Sequence, residues 1–420
     1  TLILQIVTST TSMPTIPQQI ITTADSQNVD KLMILNLRNI ENQFKRWEIH
    51  FPNVKIRYSV KTNPNIDILK KLLSLGAGFD CASTEEVERV LKIGGKPENI
   101  VFANVHKSKF NMEKCYQWGL RCFTTDCEAD LKQMVQLIPP DARGQFIIRV
   151  APPDDEAAIL SFGSRFGVKY DGAVNLVKLA FELKQQKDNF DLIGVSFHAG
   201  CGVSTVHVLE QAVLLAGKVA EFAKSQGHPM QILDIGGGWM SHRGHKHYPH
   251  SILAFDVSSH IVMQTIARVK QHFSADFQVI AEPGRFFATD CISLGVKVIC
   301  RKVLHKSLEH EQIDENVEQI QYTVADGCHG CFSNLILEHS HPKMHFYHFQ
   351  KEIEDGKTYP SSMAGPTCMP NDFIIKCANL PLLEIGDWVI VNDFGAYTVA
   401  SSSQFNGFCM IGIFVIDQEE

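Results

Sequence analysis

Lys61 closes the run Lys55-Ile56-Arg57-Tyr58-Ser59-Val60-Lys61 and is followed at once by the turn Thr62-Asn63-Pro64. An amine held at the end of a strand can attack a carbonyl and form a Schiff base, although most lysines are solvated surface charges. Three further groups could serve the same chemistry. Asp234-Ile235-Gly236-Gly237-Gly238 presents backbone N–H groups that no side chain obstructs, a cradle for a phosphate or a plain tight turn. Glu282-Pro283-Gly284-Arg285 supplies a carboxylate and a guanidinium in one short turn, which as a surface feature would be an ion pair. His198, in Ser196-Phe197-His198-Ala199-Gly200, is either a core histidine or a ring that stacks on a ligand.

These residues need elements that bring them together. Between Lys55 and Pro283 short β-branched runs alternate with amphipathic stretches, and eight strands are expected: Lys55–Lys61, Gly78–Cys81, Asn99–Ala103, Arg121–Thr125, Gln145–Val150, Leu192–His198, Gln231–Ile235 and Gln278–Glu282. Helices are expected at Ile66–Leu75, Glu85–Ile93 and Val206–Gln226, among others. Eight strand–helix units in about 230 residues predict an α/β fold, a (β/α)8 barrel with its active site at the carboxyl ends of the strands. Lys61, Asp80, Arg149, His198, Gly236–Gly238 and Glu282 all fall at such ends. Strand alternation puts Arg57, Ser59 and Lys61 on one face, so an inward Lys61 also sends Arg57 inward, where its charge needs a carboxylate.

From Cys291 onward strands and turns dominate, as at Gln321–Ala325, Asp387–Val391 and Met410–Ile416. The division expected is a flexible tail over 1–28, a barrel over 46–286 and a discontinuous C-terminal all-β domain made of 29–45 and 287–420, with Lys31–Asn36 as its first strand.

Composition narrows the function. The 420 residues are 45% hydrophobic and carry a formal net charge of −7, enough apolar content for a large core and no basic face for nucleic acid. No apolar run approaches the ~20 residues that span a bilayer. Twelve cysteines without paired spacing fit reduced thiols in the cytoplasm. Cys328-His329-Gly330-Cys331 reads as a turn with free thiols in preference to a redox pair or half a metal site, and His242, His245, His247 and His250 read as a polar loop. No metal is expected.

A lysine, a phosphate cradle, an arginine and a carboxylate at one barrel rim are what pyridoxal 5'-phosphate requires: an imine partner, anchors for the phosphate and a proton for the pyridine nitrogen. The motifs Tyr58-Ser59-Val60-Lys61-Thr62-Asn63, Gly78-Phe79-Asp80-Cys81-Ala82-Ser83, Ala281-Glu282-Pro283-Gly284-Arg285, Gly365-Pro366-Thr367-Cys368 and Gly395-Ala396-Tyr397-Thr398-Val399-Ala400 together resemble the eukaryotic ornithine decarboxylase family of fold-type III pyridoxal-phosphate enzymes, in order from about Lys31 to Ile416. The resemblance implies a head-to-tail homodimer acting on a small amino acid. It assigns the imine to Lys61, the pyridine nitrogen to Glu282 and ring stacking to His198. The phosphate would fall to Gly236, Gly237, Gly238, Arg285 and Tyr397, with Asp80 and Arg149 completing the shell. Cys368 would reach the partner's active site and control protonation at Cα, while Asp326, Met369 and Phe405 would meet the substrate.

Several positions depart from that family pattern. Met369 stands where the family has an aspartate that contacts the substrate's distal ammonium, a loss worth about 3–5 kcal/mol for a buried charge. Cys201 and Ala325 replace polar residues near the cofactor, and His329 replaces an aromatic. Asp372 and Arg165 occupy the places of a cross-subunit ion pair. Three readings follow: L-ornithine to putrescine and CO2 in polyamine biosynthesis; a paralogous decarboxylase of lysine or an apolar amino acid such as leucine; and a non-catalytic relative that, like antizyme inhibitors, binds a regulatory protein.

Overall fold

The computed structural model describes residues 14–155, 158–160, 165–241, 252–306, 317–354, 356–408 and 410–418. Its first element corrects the expectation of a flexible tail: Ile16–Gln27 form a helix, α1. Behind the polar composition Ile20, Ile21 and Ala24 recur at helical spacing, and they bury against Leu32, Ile34, Trp388 and Ile390. Gln18 closes the start of the helix by accepting the Thr15 N–H at 3.0 Å.

Strand β1 (Lys31–Asn36) and helix α2 (Leu37–His50) lead into the barrel. All eight expected strands form: β2 (Val54–Ser59), β3 (Gly78–Cys81), β4 (Ile100–Phe102), β5 (Cys122–Thr125), β6 (Gly144–Val150), β7 (Phe190–Phe197), β8 (Ile232–Asp234) and β9 (Gln278–Ala281). They run parallel and close where β2 meets β9, with Val54 opposite Val279. Helices α3 (Ile66–Ser74), α4 (Thr84–Lys92), α5 (Lys109–Gln117), α6 (Glu128–Leu137), α7 (Tyr170–Lys184), α8 (Val206–Ser225) and α9 (Phe255–Val269) alternate with the strands. In α4, for example, the Ser83 hydroxyl accepts the Glu86 N–H at 3.3 Å, while Val87 and Val90 turn to the core. Val101 of β4, Ile147 of β6, Ile193 of β7 and Ile280 of β9 form one buried cluster that fills the barrel.

Two details bear on the site. β2 stops at Ser59, and Val60–Thr62 form a 3-10 turn, so Lys61 stands one turn beyond the strand it was expected to end. The chain leaves the ladder because its next polar groups bond elsewhere: Thr62 C=O accepts the Tyr397 N–H at 2.9 Å, and Asn63 Nδ2 donates to Gly395 O at 2.8 Å. Arg57 does turn inward, but among the described residues no carboxylate pairs with it. Its Nη1 donates to the Ile56 carbonyl at 3.2 Å and its Nε has no partner. Burial lowers its pKa, with the charges of Cys122 and Asp234 opposing.

The remaining strands are β10 (Ile292–His305), β11 (Val317–Val324), β12 (Met344–His348), β13 (Lys351–Glu352), β14 (Thr358–Ala364), β15 (Phe373–Pro381), β16 (Trp388–Val391) and β17 (Gly412–Ile416). They make a mixed sheet in the order β13-β12-β16-β10-β11-β14-β15, and β1 joins it, antiparallel to β10 and parallel to β17. Gly395 and Tyr397, from the segment between β16 and β17, reach back to the turn that carries Lys61.

The described cysteines are free, and Cys328 and Cys331 are buried. No helix among the described residues is long and apolar enough to cross a membrane. His242, His245, His247 and His250 lie outside the described residues.

Candidate active site

At the carboxyl ends of the barrel strands opens a cavity of about 600 Å³, lined by Ser59, Lys61, Arg149, His198, Gly238, Glu282, Arg285 and Tyr397, among others. Lys61 projects into it, its side chain 44% exposed, and Nζ pairs with Asp80 Oδ2 at 2.8 Å. Register makes this contact possible, since Ser59 on β2 lies opposite Asp80 on β3. The Ser59 hydroxyl sits 2.7 Å from Asp80 Oδ2 and 2.9 Å from the Glu282 carbonyl, tying the two carboxylate-bearing strands together. Burial disfavours the Lys61 charge, but Asp80, Tyr397 and Glu282 outweigh it and hold the ammonium above its ordinary pKa.

The glycine loop follows β8. Gly236 and Gly238 have φ of +63° and +83°, the left-handed region, and a Cβ on Gly237 would come 2.6 Å from the Glu282 carbonyl and 3.1 Å from His198 Nε2. From behind, Trp239 Nε1 donates to Gly236 O at 2.9 Å. Trp239 in turn packs 4.9 Å from Phe51 in a cluster with Trp47, Phe255 and Phe286, the residue after Arg285. One aromatic core thus braces both the glycine loop and Arg285.

His198 lies beside the loop. Its Nδ1 accepts the Gly200 N–H at 3.1 Å. Burial, with the positive charges of Arg149, Lys61 and Arg285, pushes its pKa well down, so the imidazole is neutral near pH 7. Glu282 is the converse: burial beside the carboxylates of Asp234 and Asp80 pushes its pKa well up. Its neighbour Asp234 is itself raised to about 6, mainly by burial. Burial and mutual repulsion thus disfavour two charged carboxylates here. Tyr397, at φ +55°, stacks its ring against the Arg285 guanidinium, 4.5 Å from the centroid.

The structure thus brings together Lys61, Asp80, Arg149, His198, Gly236–Gly238, Glu282, Arg285 and Tyr397. Cys368, Met369, Asp326 and Phe405 are not among the residues lining that cavity. Asp326 and Phe405 line a separate cleft with Thr367, and the Cys368 N–H donates to Asn406 Oδ1 at 2.9 Å beside Phe405. Cys368 and Met369 are exposed. Among the departures from the family pattern, Cys201 lines the Lys61 cavity, whereas His329 stacks on Phe405 at 4.6 Å. Asp372 and Arg165, expected to pair across a subunit boundary, make the following contacts within a single chain. Asp372 is buried and accepts the Cys328 N–H at 2.7 Å and the Thr367 hydroxyl at 2.6 Å within its own chain. Arg165 lies over Phe166, 4.9 Å from the ring centroid.

Sequence reasoning missed three residues. Glu338 forms a buried ion pair with Arg285 in the cavity wall, and nothing in its local sequence announces a contact fifty-three positions away. Asp234 was noted only as the start of the glycine run, and Ser59 only as a neighbour of Lys61 on one strand face; the strand register supplies their roles.

This donor set fits pyridoxal phosphate. The glycine cradle and Arg285 match a phosphate dianion, Lys61 an aldehyde, and the Glu282 carboxyl a pyridine nitrogen. A (β/α)8 barrel with such a rim and a second, mixed sheet defines a fold-type III pyridoxal-phosphate enzyme. Residues 37–289 match the family model described as the pyridoxal binding domain of pyridoxal-dependent decarboxylases, and the chain belongs to that family, among its ornithine decarboxylase-like members. It is 31% identical over 398 residues to the probable ornithine decarboxylase of Dictyostelium discoideum, covering 94% of this chain and 81% of that protein. It is 34% identical over 385 residues to antizyme inhibitor 2 of Xenopus laevis, covering 92% and 80%. The arginine decarboxylase of Paramecium bursaria Chlorella virus superimposes with a TM-score of 0.82 at 27% identity, over 95% of this chain and all of that one. The family model and the decarboxylases among these relatives make the protein a pyridoxal-phosphate-dependent amino acid decarboxylase by class.

Proposed function

We propose that two copies of this chain, arranged head to tail, form shared sites in which the Lys61 cavity of one meets Cys368, Met369 and Phe405 of the other, and that these sites decarboxylate a small α-amino acid in the cytoplasm. The observation that carries the reading is the convergence of Lys61, Asp80, Glu282, Gly238 and Arg285 on one cavity wall. Bound there, pyridoxal phosphate supplies an electron-accepting ring for the pair left at Cα when carbon dioxide departs.

The protein's own groups do the rest. Asp80 holds and orients the Lys61 Nζ. Neutral His198 offers a flat ring without a competing charge. Glu282, beside Asp234 at the barrel rim, faces the pyridine nitrogen, and Arg285 with the glycine N–H groups anchors the anion. The exposed Cys368 thiol is free to deliver a proton to Cα on the partner's side.

The first substrate reading is L-ornithine, giving putrescine for polyamine biosynthesis, in line with the names of the ornithine decarboxylase relatives. A second, an amino acid with an uncharged side chain, is favoured by Met369 in place of a carboxylate. The regulatory reading suggested by the antizyme inhibitor relative is disfavoured by the intact cofactor constellation. Carbon dioxide release from a panel of carboxyl-labelled amino acids by the cofactor-loaded protein tests the proposal. Release from one of them, with the amine product lost or replaced by a different one on Cys368→Ala, is expected; no release from any would refute it.

A further inference from the structure

We propose that Lys31 is a specificity-determining residue: an ammonium built into the chain that holds Asp326 where a substrate's distal cation would otherwise bind, so that the substrate is a monoamino acid with an uncharged side chain. This rests on the decarboxylase reading above and names the substrate class for that site.

The sheet register builds the contact. Lys31 opens β1 opposite Val296 of β10. Two residues further along β10, Val298 faces Val324 of β11, and the Ala325 N–H donates to Lys297 O at 3.0 Å. Asp326 therefore emerges beside Lys31, and Lys31 Nζ lies 3.5 Å from Asp326 Oδ1. The other oxygen, Oδ2, accepts the Cys331 N–H at 3.1 Å. Gly330 allows this approach, because a Cβ there would collide with the Asp326 carboxylate.

The pair is not a loose surface contact. The side chains are only 17% and 6% exposed, and both line the cleft with Phe405, Phe408, Met410 and Thr367. A diamino acid would have to displace a tethered ammonium already present at high effective concentration and would leave Lys31 partly buried without its anion. Nearby, Met369 supplies a thioether in place of a second carboxylate, and His329 stacks on the Phe405 ring. One carboxylate and one ammonium cancel. What remains to recognise a side chain is apolar and aromatic surface, which suits a branched aliphatic, thioether or phenyl group.

The test compares kcat/KM for L-leucine, L-methionine, L-phenylalanine, L-ornithine and L-lysine in the cofactor-loaded parent, Lys31→Met and Lys31→Arg, with borohydride trapping on Lys61 as the measure that each variant is folded and loaded. The parent is expected to favour an uncharged member over ornithine by at least about 100-fold. Lys31→Met, which releases Asp326, should shift that ratio toward ornithine by about 10-fold or more, chiefly through a lower ornithine KM. Lys31→Arg should keep the parental preference. A parent that prefers ornithine or lysine, or a trapped, folded Lys31→Met with an unchanged ratio, overturns the inference. A parent that traps no cofactor and releases no carbon dioxide from any of the five overturns the decarboxylase reading, and this inference with it.

Discussion

The Lys61 cavity and the Asp326–Phe405 cleft differ in how much of each a single chain completes. In the cavity Asp80, Glu282, Arg285 and Tyr397 are buried or nearly so and are held by strand register, a glycine loop and an aromatic core. At the cleft, Phe405, Phe408, Met410 and the neighbouring Met369 are 38–42% exposed, and the chemistry depends on what faces them. The lesson is physical. Cofactor binding needs many mutually supporting contacts and resists change, whereas a cleft at the surface can carry Met369 and the Lys31–Asp326 pair without disturbing the barrel.

The largest effect expected on this contrast is at Lys61. Lys61→Ala should lower decarboxylation by at least about 10⁴-fold and abolish covalent cofactor capture, while leaving the fold intact by circular dichroism. Residual activity near the parent's would place the chemistry elsewhere.

Glu338→Gln comes next. It strips Arg285 of its buried anion and should destabilise the cofactor-free chain by about 3–5 kcal/mol. Added pyridoxal phosphate should then raise Tm more in the variant than in the parent, because the phosphate replaces the missing charge. Equal increments would mean that Arg285 does not face the phosphate.

His228 separates effects on the fold from effects on either site. It is buried between α8 and β8, neither ring nitrogen has a hydrogen-bond partner among the described residues, and burial assisted by the Lys184 charge lowers its pKa from 6.5 to about 4. The unfolded chain takes up this proton below about 6.5 and the folded chain only near 4, so stability is full above that window and falls as pH drops through it, by about 3 kcal/mol. His228→Leu should flatten urea-denaturation stability over that range; an unchanged slope would assign the acid loss to the carboxylates.

Met369→Asp is the smallest of the four. Adding a carboxylate should raise ornithine kcat/KM by about 10-fold, in line with one charge-assisted hydrogen bond. No gain would show that Met369 does not reach the substrate.

The barrel was legible because each strand carries its own β-branched run and each helix its own apolar spacing, signals that neighbours do not alter. The glycine loop, Glu282 and Arg285 were legible because their chemistry sits in short contiguous motifs. Helix α1 was hidden by its Thr, Gln and Ser content, with only Ile20, Ile21 and Ala24 to betray a buried face. The 3-10 turn at Lys61 was hidden because bonds to Gly395 and Tyr397, more than three hundred residues away, create it. The pairs Arg285–Glu338 and Lys31–Asp326 depend on sheet register. The intrachain contacts of Asp372 were hidden because its acidic character said nothing about the backbone groups that its own loop turns toward it.

The most direct measurement is borohydride reduction of the cofactor-loaded protein followed by mass mapping of its peptides. The account predicts one pyridoxyl adduct per chain, on the peptide containing Lys61. An adduct on another lysine, or none, would contradict it.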